Sequence, residues 1–121
     1  MPARVLVVDD VPANLKILEA KLTAEYFDVL MASNGKTALD LALREQPDII
    51  LLDVMMPGID GVTLCRMLKE QESTRRIPII MVTAKSRMGD VEAAFNAQAD
   101  DYVSKPYEWT ELRHKIRKLL G

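Results

Sequence analysis

The sequence predicts an α/β fold, a doubly wound and mainly parallel sheet with helices on both faces. Short apolar runs alternate with amphipathic stretches about five times along the 121 residues. Residues 5–8, 49–52 and 79–82 are continuously apolar, as central parallel strands buried on both faces must be. The stretches between the runs are long enough for crossover helices, and such strand-helix alternation closes by right-handed connections.

Each element has its own signal. Residues 4–8 predict the first strand. Residues 12–25 follow as a helix, with Leu15, Leu18 and Leu22 on one face and Pro12 suited to its first turn. Residues 28–32 predict a short strand of weaker apolar character. Asn34-Gly35 breaks the chain before a helix through about Glu45, which turns Ala38, Leu41 and Ala42 inward and is closed by Pro47. Residues 48–53 make the strongest strand. Met55-Met56-Pro57-Gly58 forms a loop, and Asp60-Gly61 leads into a helix carrying Leu64, Cys65 and Leu68. Residues 77–82 predict the fourth strand, and 88–97 a helix with Val91, Ala94 and Phe95 inward. Residues 101–104 predict a short fifth strand. The last helix, about 108–120, presents Trp109, Leu112, Ile116 and Leu119 to the core. The second and fifth strands are the least apolar and belong at the edges. The order 2-1-3-4-5 follows, a flavodoxin-like (βα)5 arrangement with its switch point between strands one and three, where open α/β sheets bind ligands.

Acidic residues converge on that switch point. Asp9-Asp10 ends the first strand and Asp53 ends the third, while Thr83 follows the fourth and Lys105 the fifth. Alone, each is ordinary: an Asp after a strand is often a helix N-cap, as Asp60 could also be, and a lone Lys is usually a solvated charge. Together at successive strand ends they are not. Three carboxylates within several ångströms repel one another, and without compensation one of them is driven to bind a proton. A divalent cation and an ammonium keep all three ionised. Mg²⁺, or Mn²⁺ in its place, prefers oxygen ligands; two carboxylates, one carbonyl and several waters satisfy it and leave room for a phosphoryl oxygen.

Composition bounds the remaining classes. One compact domain over residues 1–121 is expected, since the chain is too short for two ordinary ones. A net charge of −2 with intermixed signs gives no support to direct nucleic-acid binding, and the basic stretch 113–118 is confined to one terminal helix. No apolar run reaches the length of a membrane span and no secretory leader is recognisable, so no membrane association is expected. Cys65 is alone and at helical spacing with Leu64 and Leu68, which makes it core filler in a reducing, cytoplasmic setting. His114 has no local partner for metal or triad chemistry and reads as a surface residue. No glycine-rich phosphate loop follows the first strand.

The motifs resemble a known family. Asp9-Asp10, Asp53 followed by Val-Met-Met-Pro-Gly, Thr83-Ala84 and Lys105-Pro106 are similar, in order and spacing over the whole chain, to the CheY-like receiver domain of two-component response regulators. The chain is similar in particular to receivers at the front of diguanylate cyclases. The resemblance implies a phosphoacceptor at Asp53, which takes its phosphoryl group from a histidine kinase or histidine phosphotransferase. It also implies Mg²⁺ ligation by Asp10, Asp53 and the backbone carbonyl of Met55, with Asp9 acting mainly through water. Lys105 and Thr83 would receive charge from the phosphoryl oxygens. Thr83 and Tyr102 would form a switch that remodels the face of the fourth helix, fifth strand and fifth helix, and Lys105-Pro106 would be a cis peptide. Such a domain assists its own phosphorylation and dephosphorylation but is not an enzyme in the ordinary sense. Asp101 and Lys115 could pair between two subunits, and an output domain could follow in a longer chain.

Two positions depart from the family or vary within it. Gln98 stands where a left-handed glycine usually caps the fourth helix, so that helix is expected to end differently or to move. Lys85, two residues after Thr83, and the side chain of Met55 lie near the site mouth, where they could tune hydrolysis. Two other readings compete. A metal-dependent aspartyl-phosphate phosphohydrolase shares the sheet type and ligands, but it wants a second acid two residues after the nucleophile, where Met55 stands. A pseudo-receiver that binds a partner without phosphorylation would not need Asp10, Asp53, Thr83 and Lys105 intact.

Overall fold

The computed structural model describes residues 2–84 and 88–121, apart from the side chains of residues 88–91. Strands β1 (Arg4–Val8), β2 (Asp28–Ala32), β3 (Ile49–Asp53), β4 (Ile79–Ala84) and β5 (Asp101–Lys105) alternate with helices α1 (Pro12–Ala24), α2 (Gly35–Glu45), α3 (Gly61–Glu70), α4 (Met88–Asn96) and α5 (Trp109–Leu120). All strand pairings are parallel, in the order 2-1-3-4-5. Fold class and strand order are therefore as the sequence predicts.

The period of two along each strand divides the interior into two layers. Leu6, Val8, Ile50, Leu52, Ile79 and Met81 pack with α2, α3 and α4 through Ala38, Ala42, Leu64, Cys65, Leu68 and Ala94. Val5, Val7, Ile49, Leu51, Ile80, Val82 and Val103 pack on the other face, against Leu15, Leu18, Leu22, Leu112 and Ile116 of α1 and α5. Every residue of β3 is buried, which is why the sequence there shows no polar alternation before Asp53. Leu41, Trp109 and Leu119 are half-buried at the margins of these layers.

Several boundaries differ from the sequence prediction. β4 starts at Ile79 rather than residue 77, because Pro78 lacks the N–H a ladder needs and contributes only its carbonyl, to Ile50. At their far ends β4 and β5 run on through Thr83–Ala84 and Lys105, and Thr83 pairs in register with Ser104. Both candidate site residues thus sit inside the ladder, which fixes their backbones. Phe95 is not inward: it is half exposed and meets Tyr102 edge-on, with ring centroids 5.5 Å apart at 89°. Lys85 and the orientation of Val91 lie outside the described residues.

Gln98 does not end α4 differently. It takes the left-handed conformation itself, with φ 72°. Ala99 N–H donates to the Ala94 carbonyl and Gln98 N–H to the Phe95 carbonyl, the paired bonds of a Schellman cap. Two cap carbonyls are satisfied at the steric cost of a side chain at positive φ. At the other side of the α3–α4 layer, the Lys69 ammonium is almost fully buried yet has three acceptors, Asp100 and the carbonyls of Arg75 and Ile77. It ties the α3–β4 turn to the start of β5.

Candidate functional site

The site forms where β1 and β3 end side by side, Val8 standing opposite Leu52 in the register. Asp9 and Asp53 are buried, Asp10 half-buried, and one carboxylate oxygen from each lies within 4.8 Å of the others. The sequence thus brought the three predicted acids together correctly. Val11, rather than either acid, occupies the N-cap position of α1; Asp9 nevertheless accepts the Val11 N–H at 2.9 Å, so its capping role holds in part beside its place in the acidic cluster. Asp60 is a cap, accepting from Thr63 N–H at 2.8 Å.

Local sequence explains how Asp53 is held. Its Oδ1 accepts the Met55 N–H at 3.1 Å, a tight turn immediately after the strand. The chain then loops through half-exposed Met55 and buried Met56 and returns at Gly61, whose N–H bonds the Val54 carbonyl. A Cβ at Gly61 would press on the Asp53 carbonyl and on Val54 Cα, so only glycine lets α3 begin this close to the acid. Asp53 Oδ2 faces Lys105 Nζ at 3.4 Å, and the same ammonium stands 3.9 Å from Asp9 Oδ2. The Lys105-Pro106 peptide is cis.

The electrostatics follow from that packing. Burial pushes the Asp53 carboxyl above its usual range; the Met55 N–H pulls it down, the Asp9 charge raises it and Lys105 lowers it. The phenol of Tyr107 is likewise raised, by burial first and then by the charges of Asp9 and Asp53. Among the described residues, a single ammonium thus serves two buried carboxylates, with Asp10 alongside. The donor set consists of carboxylate oxygens, and its surplus negative charge suits a hard divalent cation such as Mg²⁺.

Thr83 is also buried here, but its hydroxyl donates to the Val103 carbonyl at 3.3 Å and lies 3.4 Å from Ser104 Oγ. Tyr102 sits between Phe95 and the Lys115 ammonium, the latter 5.7 Å from its ring centroid. Asp101 and Lys115 form an ion pair within the chain at 3.0 Å. Cys65 is fully buried, and burial pushes its thiol up to about 11, in keeping with core filler. His114 is exposed.

Sequence reasoning missed two residues that line the same cavity as Asp9, Asp53 and Lys105, namely Asn14 and Tyr107. Their signals were positional. Asn14 falls in the first turn of α1, the turn nearest the acids, and Tyr107 directly follows Lys105-Pro106.

Comparison with known proteins agrees with this geometry. Residues 5–117 match the family model of the response regulator receiver domain. The chain is 51% identical over 119 residues to response regulator PleD of Caulobacter vibrioides, covering 98% of this chain and 26% of that protein. It therefore spans about a quarter of the length of that relative, and about half of several others. Among solved structures, a putative response regulator from Chloroflexus aurantiacus superposes with TM-score 0.95 at 36% identity, covering 99% of this chain and 98% of the other. The receiver domain of sensor histidine kinase PA1611 from Pseudomonas aeruginosa, with a magnesium ion coordinated in its active site cleft, superposes with TM-score 0.92 at 34% identity, covering 100% and 99%. Family model, relatives and acidic cluster agree, and the chain belongs to the response regulator receiver domain family of two-component signalling.

Proposed function

We propose that Asp53 is the phosphoacceptor and that residues 1–121 act as one receiver domain, charged by a histidine kinase or histidine phosphotransferase in the cytoplasm. The observation that carries this reading is the convergence of three carboxylates within 4.8 Å, with Lys105 Nζ 3.4 Å from Asp53 Oδ2. An Asp53 oxygen attacks the phosphorus in line, the P–N bond breaks, and the neutralised imidazole leaves. The Met55 N–H on Oδ1 holds the carboxylate at one rotation, so the attacking oxygen is positioned before the donor arrives. Asp10, Asp53 and the Met55 carbonyl would hold Mg²⁺ or Mn²⁺, with Asp9 contributing through water. When bound, the metal neutralises charge on the phosphoryl oxygens. Lys105 receives a further share of that charge.

The switch then runs through Thr83. An aspartyl phosphate brings roughly −1.5 to −2 charge and strong acceptor oxygens. The Thr83 hydroxyl leaves the Val103 carbonyl for one of those oxygens, and Tyr102 turns into the vacated space. The face of α4, β5 and α5 changes with it, a two-state equilibrium biased by a local charge. Asp101 and Lys115, now paired with each other, exchange that bond for one between two subunits. In a longer protein, an output domain of the diguanylate cyclase type reads the change. The domain does not itself turn over a substrate.

Intact mass spectrometry after incubation with phosphoramidate, with and without Mg²⁺, tests the core of this reading. One added phosphoryl group is expected, dependent on metal and absent in Asp53→Ala. Equal labelling of that variant removes the acceptor role, and steady turnover of phosphate esters favours a hydrolase. For the dimer, Asp101→Lys and Lys115→Asp should each abolish phosphorylation-dependent self-association, and mixing the two variants should restore it.

A further inference from the structure

The side chain of Asn14 bonds to the acid site. Its Nδ2 donates to Asp9 Oδ2 at 3.1 Å, while the Val11 N–H donates to Asp9 Oδ1 at 2.9 Å. Each Asp9 oxygen therefore has a fixed donor from the start of α1, and the carboxylate is locked at one rotation. Asn14 occupies the third position of the helix after the Val11 cap, where a polar side chain commonly reaches back towards the cap N–H. Here Asp9 takes that N–H and Asn14 bonds to Asp9 instead. The result is a relay from the first turn of α1 into the acidic cluster.

The relay bears on how Lys105 is shared. Asp9 Oδ2, the oxygen that Asn14 holds, is the one 3.9 Å from Lys105 Nζ, whereas Asp53 Oδ2 is 3.4 Å away. A carboxylate oxygen accepts about two bonds, and the amide takes one position on Asp9 Oδ2. With it filled, Lys105 stays closer to Asp53. Freed of the amide, the buried Asp9 Oδ2 would lose its hydrogen-bond donor and draw the ammonium towards itself.

We propose that Asn14 is a positioning residue of the receiver site: it orients Asp9 towards the metal-binding cluster and keeps Lys105 on Asp53. The inference rests on the receiver reading of the site but concerns a residue that reading does not use. Polar groups that orient a ligating shell are commonly worth about tenfold or more in metal affinity.

The test is Mg²⁺ titration of the unphosphorylated protein by calorimetry, with thermal melts alongside. Asn14→Leu, which removes the donor at similar volume, should weaken Mg²⁺ binding by about tenfold while the metal-free melting temperature stays within a few degrees. Asn14→Gln, which keeps the amide, should recover most of the affinity. Unchanged affinity in Asn14→Leu overturns the proposal, and so does equal loss in the two variants, which would mark a role in shape alone. Asp10→Asn separates the two levels of the argument. If neither that substitution nor Asn14→Leu alters Mg²⁺ binding, the metal reading of the cluster falls and this inference with it. If only Asp10→Asn does, the site stands and the role of Asn14 falls.

Discussion

Replacing Asp53 with Asn should stabilise the metal-free protein even as it removes the proposed acceptor. Asp9 and Asp53 are both buried, with carboxylate oxygens within 4.8 Å, so at an effective dielectric constant of 20 they repel by about 3 kcal/mol. Lys105 opposes this from 3.4 Å, but its side chain is 40% exposed, and solvent screening leaves an attraction on the order of 1 kcal/mol. Asn keeps an oxygen for the Met55 N–H, so the hydrogen bond survives while the charge goes. A net gain of about 1–3 kcal/mol corresponds to a rise in melting temperature of about 4–12 °C for a chain of this length. The pH dependence has a definite sign. Burial and Asp9 raise the folded Asp53 carboxyl above its ordinary 3.8, so its contribution to stability is full below that value and is lost as pH rises through the raised one. The advantage of Asp53→Asn should therefore be largest near neutral pH and shrink towards pH 4. Differential scanning calorimetry from pH 4 to 8 in chelator reads it directly. A variant that melts at or below the parent temperature at pH 7 would refute the claim that the acids are held against their mutual repulsion.

Other substitutions probe the supports around the site. Gly61→Ala should cost about 1–3 kcal/mol, because the new methyl overlaps the Asp53 carbonyl, and it should also slow phosphorylation; chemical denaturation and phosphoramidate labelling measure the two effects. Gln98→Gly should stabilise by roughly 0.5–1 kcal/mol by relieving a side chain at φ 72°, seen as a higher denaturation midpoint. Cys65 should resist alkylation by iodoacetamide at pH 8 in the folded state and react fully in denaturant, since a thiol pushed up to about 11 and fully buried offers almost no thiolate.

Much of this was legible because strand burial leaves a strong signature. The continuous apolar runs of β1, β3 and β4 identified the central strands, and the polar residues at their ends identified the site. Boundaries were less legible where geometry overrides composition. Ile77 is as apolar as Ile79 and is buried, yet Pro78 keeps it out of the strand. Phe95 was misplaced because helical spacing alone cannot tell a residue facing the core from one facing a neighbouring aromatic at the rim. Gln98 was misjudged for a different reason. The backbone hydrogen bonds of a Schellman cap can hold a non-glycine residue at positive φ, so a missing glycine does not imply a missing cap. Asn14 and Tyr107 are brought to the cavity by the packing of α1 and the β5–α5 connection, and a single residue type carries no mark of that.

The strand period sets the route that the proposed switch would take from the site to the distant face. Val103 belongs to the layer of α1 and α5, and Lys105, two residues on, lines the cavity on that side together with Asp9, Asp53 and Leu51. Met81 and Tyr102 belong to the opposite layer, facing α4. Thr83 follows Met81 by two residues and pairs with Ser104, which follows Tyr102 by two. Its hydroxyl accordingly reaches the β5 backbone beside Tyr102, while Val82 next to it packs on the α1 side and pairs with Asp53. Charge is thus gathered on one side of the sheet, and Thr83, the proposed switch residue, stands one step along β4 on the other. On the proposed switch, a phosphoryl group on Asp53 would reach Tyr102 by drawing the Thr83 hydroxyl off the Val103 carbonyl, so that 3.3 Å hydrogen bond is what it would have to overcome.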